Sequence, residues 1–128
     1  MPEVRFKFFC EDVRSEVNGK VSAIGLLGNT MLIIGAPPTR LRAIAFLAYV
    51  SSNVPFEFRF TLNGPGLPAL EQAGRAEIQP PQTGTFLNWI VEGPTVVAAG
   101  RFVARLEFPG VGVFEETLDV RYGGPAAG

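Results

Sequence analysis

The chain has 128 residues, a length that suits one domain, and its 12 acidic and 11 basic side chains leave a net charge of −1. A chain so balanced has no basic footprint, which argues against a nucleic-acid or anionic-membrane partner. It holds no histidine and one cysteine, so imidazole-based catalysis, an ordinary zinc site and an intrachain disulfide are excluded.

The first seven residues, Met1-Pro2-Glu3-Val4-Arg5-Phe6-Lys7, interleave charge with apolar side chains and do not read as a signal peptide. No apolar run reaches the roughly 20 residues of a membrane helix. The expectation is a cytoplasmic protein, or one exported or packaged by a route that leaves no such signal. Residues 4–10 form the first expected strand, with Val4, Phe6, Phe8 and Cys10 on one face. Asn18-Gly19 is the strongest hairpin signal, because a type I′ turn needs φ > 0 at both central residues. As a two-residue loop it would pair Val17 with Lys20, Ser15 with Ser22 and Val13 with Ile24. Val13 then has the opposite parity to Cys10, so either the inward face switches or a bulge interrupts the strand between Cys10 and Asp12.

Residues 20–27 and 31–34 read as strands split by Gly28-Asn29, and Ala36-Pro37-Pro38 ends the second. Residues 41–50 are apolar on both faces apart from Arg42, which predicts a strand covered on both sides. In residues 54–62, Phe56, Phe58, Phe60 and Leu62 alternate with Glu57, Arg59 and Thr61, and Asn63-Gly64-Pro65-Gly66 closes the strand. Residues 67–73 predict a short helical turn, with Pro68 at its first position and Gly74 just past its end. Residues 75–79 would be a strand stopped by Pro80-Pro81, residues 86–92 a strand broken by Gly93-Pro94, and residues 95–98 a short extended piece. Strands 101–108 and 113–122 alternate cleanly and are joined by the hairpin Pro109-Gly110-Val111-Gly112.

Short strands, frequent turn signals and no long helical segment predict an all-β fold, an antiparallel two-sheet β-sandwich. An up-and-down barrel would need an even, closed series of strands. Two cysteines around a buried tryptophan are absent, so "immunoglobulin-like" describes architecture only. One domain spans residues 1–122 and a flexible tail residues 123–128. Phe56, Phe58, Phe60, Phe102, Leu106, Phe108, Leu118 and Val120 should share one interior.

Little in the chain reads as catalytic. Glu11-Asp12 and Glu115-Glu116 are adjacent pairs, which a strand points to opposite faces. The glycine-containing loops lack the lysine and helix of a phosphate-binding loop and read as turns. Cys10, in step with Phe6 and Phe8, reads as a core thiol. The charged run Glu11-Asp12-Val13-Arg14 is either a partner-contacting patch or a local arrangement in which Asp12 and Arg14 pair with each other or with cross-strand neighbours at a bulge, and the local arrangement is favoured. Trp89, the single tryptophan, is expected in the core or sheet packing, with a ligand platform as the other role.

Phe9-Cys10-Glu11-Asp12-Val13-Arg14, followed by Glu16, Asn18-Gly19-Lys20, Ser22 and Ile24-Gly25, resembles the opening signature of a family of small bacterial proteins classed as a domain of unknown function. Gly100-Arg101-Phe102 and the final hairpin resemble the closing strands of such β-sandwich proteins. The resemblance implies no catalytic or binding residue.

Hydrophobic residues make up 47% of the chain, 11 of them phenylalanine, and charged residues only 18%, against roughly 25% in an average domain. That is more apolar side chain than one small core needs, above all in residues 31–34 and 41–50. The leading expectation is therefore a non-enzymatic assembly or partner-binding module, a homo-oligomer or a binder of another protein. It has no cofactor and no metal, and Ile33, Phe46, Tyr49 and Trp89 lie at its interface. The alternative is a small-ligand or carbohydrate-binding module using Trp89 and Tyr49.

Overall fold

A computed structural model describes residues 2–15 and 21–123. Every regular element among them is a strand. β1 (Glu3–Ser15), β2 (Val21–Leu27), β3 (Thr30–Ile34), β4 (Thr39–Arg40) and β5 (Ala43–Ser51) are followed by β6 (Phe56–Asn63), β7 (Leu70–Ala76) and β8 (Gly84–Glu92). β9 (Thr95–Val96), β10 (Gly100–Phe108) and β11 (Gly112–Gly123) complete the chain. They build a four-stranded sheet of order β2-β1-β5-β8 and a five-stranded sheet of order β3-β11-β10-β6-β7, with β4 and β9 as a small separate ribbon.

The two larger sheets enclose one apolar core, as alternation predicts. Phe56, Phe60, Phe102, Leu106, Phe108, Leu118 and Val120 are buried in it and Phe58 packs against it. They meet Phe9, Phe46, Ala48, Val50 and Trp89 from the four-stranded sheet. Burying each large side chain contributes about 1.5–3 kcal/mol. The five-stranded sheet is mixed rather than purely antiparallel, because β3 runs parallel to β11. The chain leaves the four-stranded sheet at Gly28-Asn29, and Asp119 N donates to Asn29 O at 2.8 Å as β3 arrives beside β11.

β5 is covered on both faces, as its sequence predicts. Ile44, Phe46, Ala48 and Val50 enter the main core, while Ala45 and Leu47 join Cys10 and Val13 in a second buried cluster on the outer side of the sheet. That cluster absorbs part of the apolar excess within the monomer. It is sealed by Phe8 and Phe86 and by Val21 and Ala23 of the β1–β2 hairpin, which bends over the outer face of β5.

Three expectations are corrected. The register of β1 slips between Val4 and Phe6, so Val4 packs on the main core while Phe6, Phe8 and Cys10 take the other face. The hairpin arms pair Ser15 with Val21 and Val13 with Ala23, one residue away from the register of a two-residue Asn18-Gly19 loop. That slip puts Val13, Val21 and Ala23 on one face and turns Ile24 away, since a one-residue shift exchanges the faces. The Asn18-Gly19 tip and the tail from Gly124 lie outside the described residues. Finally, the segment expected to form a helical turn instead enters β7, because the free edge of β6 pairs with it from Leu62↔Leu70 to Phe56↔Ala76.

Candidate functional site

β1 and β5 pair only as far as Cys10↔Ala45. Beyond that point the ladder ends, and the fork between the two strands opens a cleft of about 980 Å³. One wall carries Glu11, Asp12 and Arg14, and the other carries Arg40, Arg42 and Glu92. Ile24, Leu27, Met31, Leu41 and Ile90 supply the apolar lining. At the fork Gly25 has φ +67°, and a Cβ there would come within 2.6 Å of Glu11 Oε2, so the Glu11 side chain lies over the bare glycine. Gly93, at φ +61°, likewise admits Arg40, whose Nη2 stands 2.9 Å from where a Cβ would be. Asp12 accepts from Arg14 Nε at 3.3 Å and from the Val13 backbone N–H at 2.9 Å. The charged run is thus partly satisfied within itself, as the local reading expects.

The cleft carries three carboxylates and three guanidinium groups. No group of three or more His, Cys, Asp or Glu side chains placed to hold a metal exists among the described residues. Cys10 is fully buried, and burial raises its thiol above the ordinary value of 9.0; the Asp12 backbone hydrogen bond opposes this and the Asp12 charge adds to it. A thiol held neutral is a poor nucleophile. Among the described residues that line the cleft none is aromatic.

The second candidate is the outer face of the four-stranded sheet. The ladders align Phe6 with Tyr49 and Phe86, Phe8 with Leu47 and Asn88, and Cys10 with Ala45 and Ile90. None of these side chains is charged. Phe6 is 41% exposed. It stacks on Phe8 at 5.7 Å and on Tyr49 at 5.7 Å, and Tyr49 meets Phe86 edge-on at 4.9 Å. The outer face of the other sheet is the opposite in character. There Arg101 pairs with Asp119 at 2.8 Å and Arg59 approaches Glu107 at 4.0 Å, among further charged residues of β6, β10 and β11.

Of the residues expected at an interface, Phe46 is 1% exposed, Trp89 8% and Ile33 9%. All three belong to the monomer's own core, because a two-layer sandwich needs the inward faces of β3, β5 and β8 to close it. Only Tyr49 lies on the outer face, beside Phe6, Phe8 and Phe86. Those three went unassigned in the sequence because Phe6 and Phe8 share the parity of Val4, and the irregularity at Arg5 that separates them leaves no residue signal.

No protein-family model matches this chain, and the search of curated proteins finds no match.

Proposed function

We propose that this protein is a non-enzymatic β-sandwich module that self-associates, and that the docking surface is the Phe6–Tyr49–Phe86 row on the outer face of its four-stranded sheet. The observation that carries this reading is the Phe6–Tyr49–Phe86 row, an aromatic surface reaching solvent on a molecule whose opposite face is laced with ion pairs. A contiguous apolar patch on a small domain marks an interface. A patch without charge asks for no partner of opposite charge, so a second copy meets it on equal terms across a two-fold axis. The carbohydrate-binding alternative loses its platform, since Trp89 is enclosed between the sheets and Tyr49 is packed into the aromatic row.

Sedimentation velocity at tens of micromolar tests the reading. The expected result is a mass above the 13.8 kDa of one chain, reduced by Phe6→Glu with an unchanged circular dichroism spectrum. A wild-type protein that sediments as a monomer at that concentration overturns it.

A further inference from the structure

We infer that β8 is a second self-contact: its free edge pairs antiparallel with β8 of another copy, about a two-fold axis through Asn88. This rests on the reading of the four-stranded sheet as the assembly surface. Joining two sheets edge to edge makes one continuous eight-stranded sheet that carries both Phe6–Tyr49–Phe86 rows on its outer side.

The edge itself is built for this contact. Gly93 N donates to Arg42 O at 2.8 Å, and Ser52 N donates to Thr83 O at 2.9 Å. Both bonds follow the same register as the β5–β8 ladder. In an antiparallel ladder, residues that bond one neighbour alternate with residues that point away from it. The odd-numbered residues of β8 therefore bond β5, and Phe86, Asn88, Ile90 and Glu92 turn their N–H and C=O groups to the free edge, while Gly84 at the start of the strand is buried. Among the described residues the only hydrogen bond reaching these groups is a 3.5 Å contact from Thr85 Oγ1 to Phe86 O.

Proteins guard such edges with charge, proline, bulges or brevity. β7 carries Glu71 and Arg75, β2 is interrupted by Gly25 at φ +67°, and β3 is five residues long. β8 runs nine residues in unbroken register, with no proline and no charge before Glu92.

The occupant follows from the strand's own symmetry. Antiparallel pairing about Asn88 sets Asn88 against Asn88, Phe86 against Ile90, and Leu87 against Trp89. Every edge-facing N–H meets an edge-facing C=O, apolar side chains meet apolar ones, the two exposed amides can bond each other, and no like charges are opposed.

Two variants test the inference. Asn88→Pro removes an N–H that points to the free edge and takes no bond from the β5–β8 ladder, a position where a strand tolerates proline. It should at least halve the sedimenting mass while leaving the circular dichroism spectrum unchanged. Asn88→Cys in a Cys10→Ala background should be joined chain to chain by a short bis-thiol reagent, whereas Thr117→Cys on the charged sheet should not. An Asn88→Cys yield no higher than that of Thr117→Cys, or an Asn88→Pro protein that sediments as wild type does, overturns the edge contact. If Asn88→Cys is joined but Phe6→Glu leaves the mass unchanged, the edge stands and the face reading fails.

Discussion

Trp89 lies flat on Phe60 across the sandwich, with ring centroids 3.7 Å apart and planes within 2°. Its indole N–H donates to Gln72 Oε1. One side chain of β8 thus touches both β6 and β7, closing the side of the sandwich where the edge strands β8 and β7 of the two sheets lie. The ring also meets Phe58 edge-on at 5.8 Å and Phe46 at 6.4 Å.

Trp89→Ala should therefore cost about 3–5 kcal/mol, the usual range for emptying a large aromatic site in a core. Gln72→Ala, which removes only the acceptor, should cost about 1 kcal/mol. Urea unfolding followed by circular dichroism separates the two. Equal midpoints for the two variants would place the tryptophan's contribution in its hydrogen bond and not in its packing.

Gly64 predicts a second, purely steric effect. A Cβ at this position would sit 2.2 Å from Phe102 Cδ1, and Phe102 is fully buried with no room to withdraw. Gly64→Ala should destabilise the fold by about 1–3 kcal/mol, as overpacking does. Shrinking the obstructing ring should return part of that loss, so Gly64→Ala in a Phe102→Leu background should cost less than it does alone. A double-mutant cycle on thermal unfolding gives the coupling.

The strands that read most clearly in the sequence are those with one wet face. Glu57, Arg59 and Thr61 between the phenylalanines of β6 mark the solvent side, and the structure places Phe56, Phe58 and Phe60 inward as that pattern requires. β5 was legible for a different reason, having apolar residues of both parities. What covers its outer face was not legible, because that depends on the bend of a hairpin and on a register set by Val13, Val21 and Ala23 together. The same limit put Phe46, Ile33 and Trp89 at an interface: apolar excess can be counted in a sequence, but which layer receives each residue is a tertiary fact. β7 was missed because Leu70, Glu71, Gln72 and Ala73 are good helix formers. The open edge of β6 overrides that preference, and Gly74 fits there because a Cβ would stand 2.9 Å from Phe58 Cζ.

Cys10 gives the pH prediction. Burial, the larger cause, raises the folded thiol above the ordinary 9.0. The unfolded chain then releases the thiol proton at lower pH than the folded one, so above pH 9.0 deprotonation favours unfolding. The thiol's contribution to stability is intact below that value and is lost as pH rises through the folded pKa. Wild type should lose more stability above pH 9.0 than Cys10→Ala does, although the variant starts lower for want of the sulfur's packing. Parallel alkaline slopes in urea titrations would contradict this.

Phe46 and Phe6 should answer the same substitution in opposite ways. Phe46 stands at the centre of the core, edge-on to Phe9 at 5.4 Å and stacked on Phe60 at 5.5 Å. A carboxylate there loses its water with no cation in reach, a cost of several kcal/mol against the 5–15 kcal/mol stability of a typical domain (both order-of-magnitude figures). Phe46→Glu should abolish the native circular dichroism spectrum, and Ile33→Glu should weaken it for the same reason. Phe6 keeps 41% of its surface in solvent, so Phe6→Glu can turn its charge to water and leave the sandwich folded. The two variants, compared by circular dichroism on the same day and buffer, separate core from surface before any mass is measured. A Phe6→Glu protein that unfolds as Phe46→Glu does would mean that the aromatic row holds the monomer together. The apolar outer face would then have no surface left to offer a second copy.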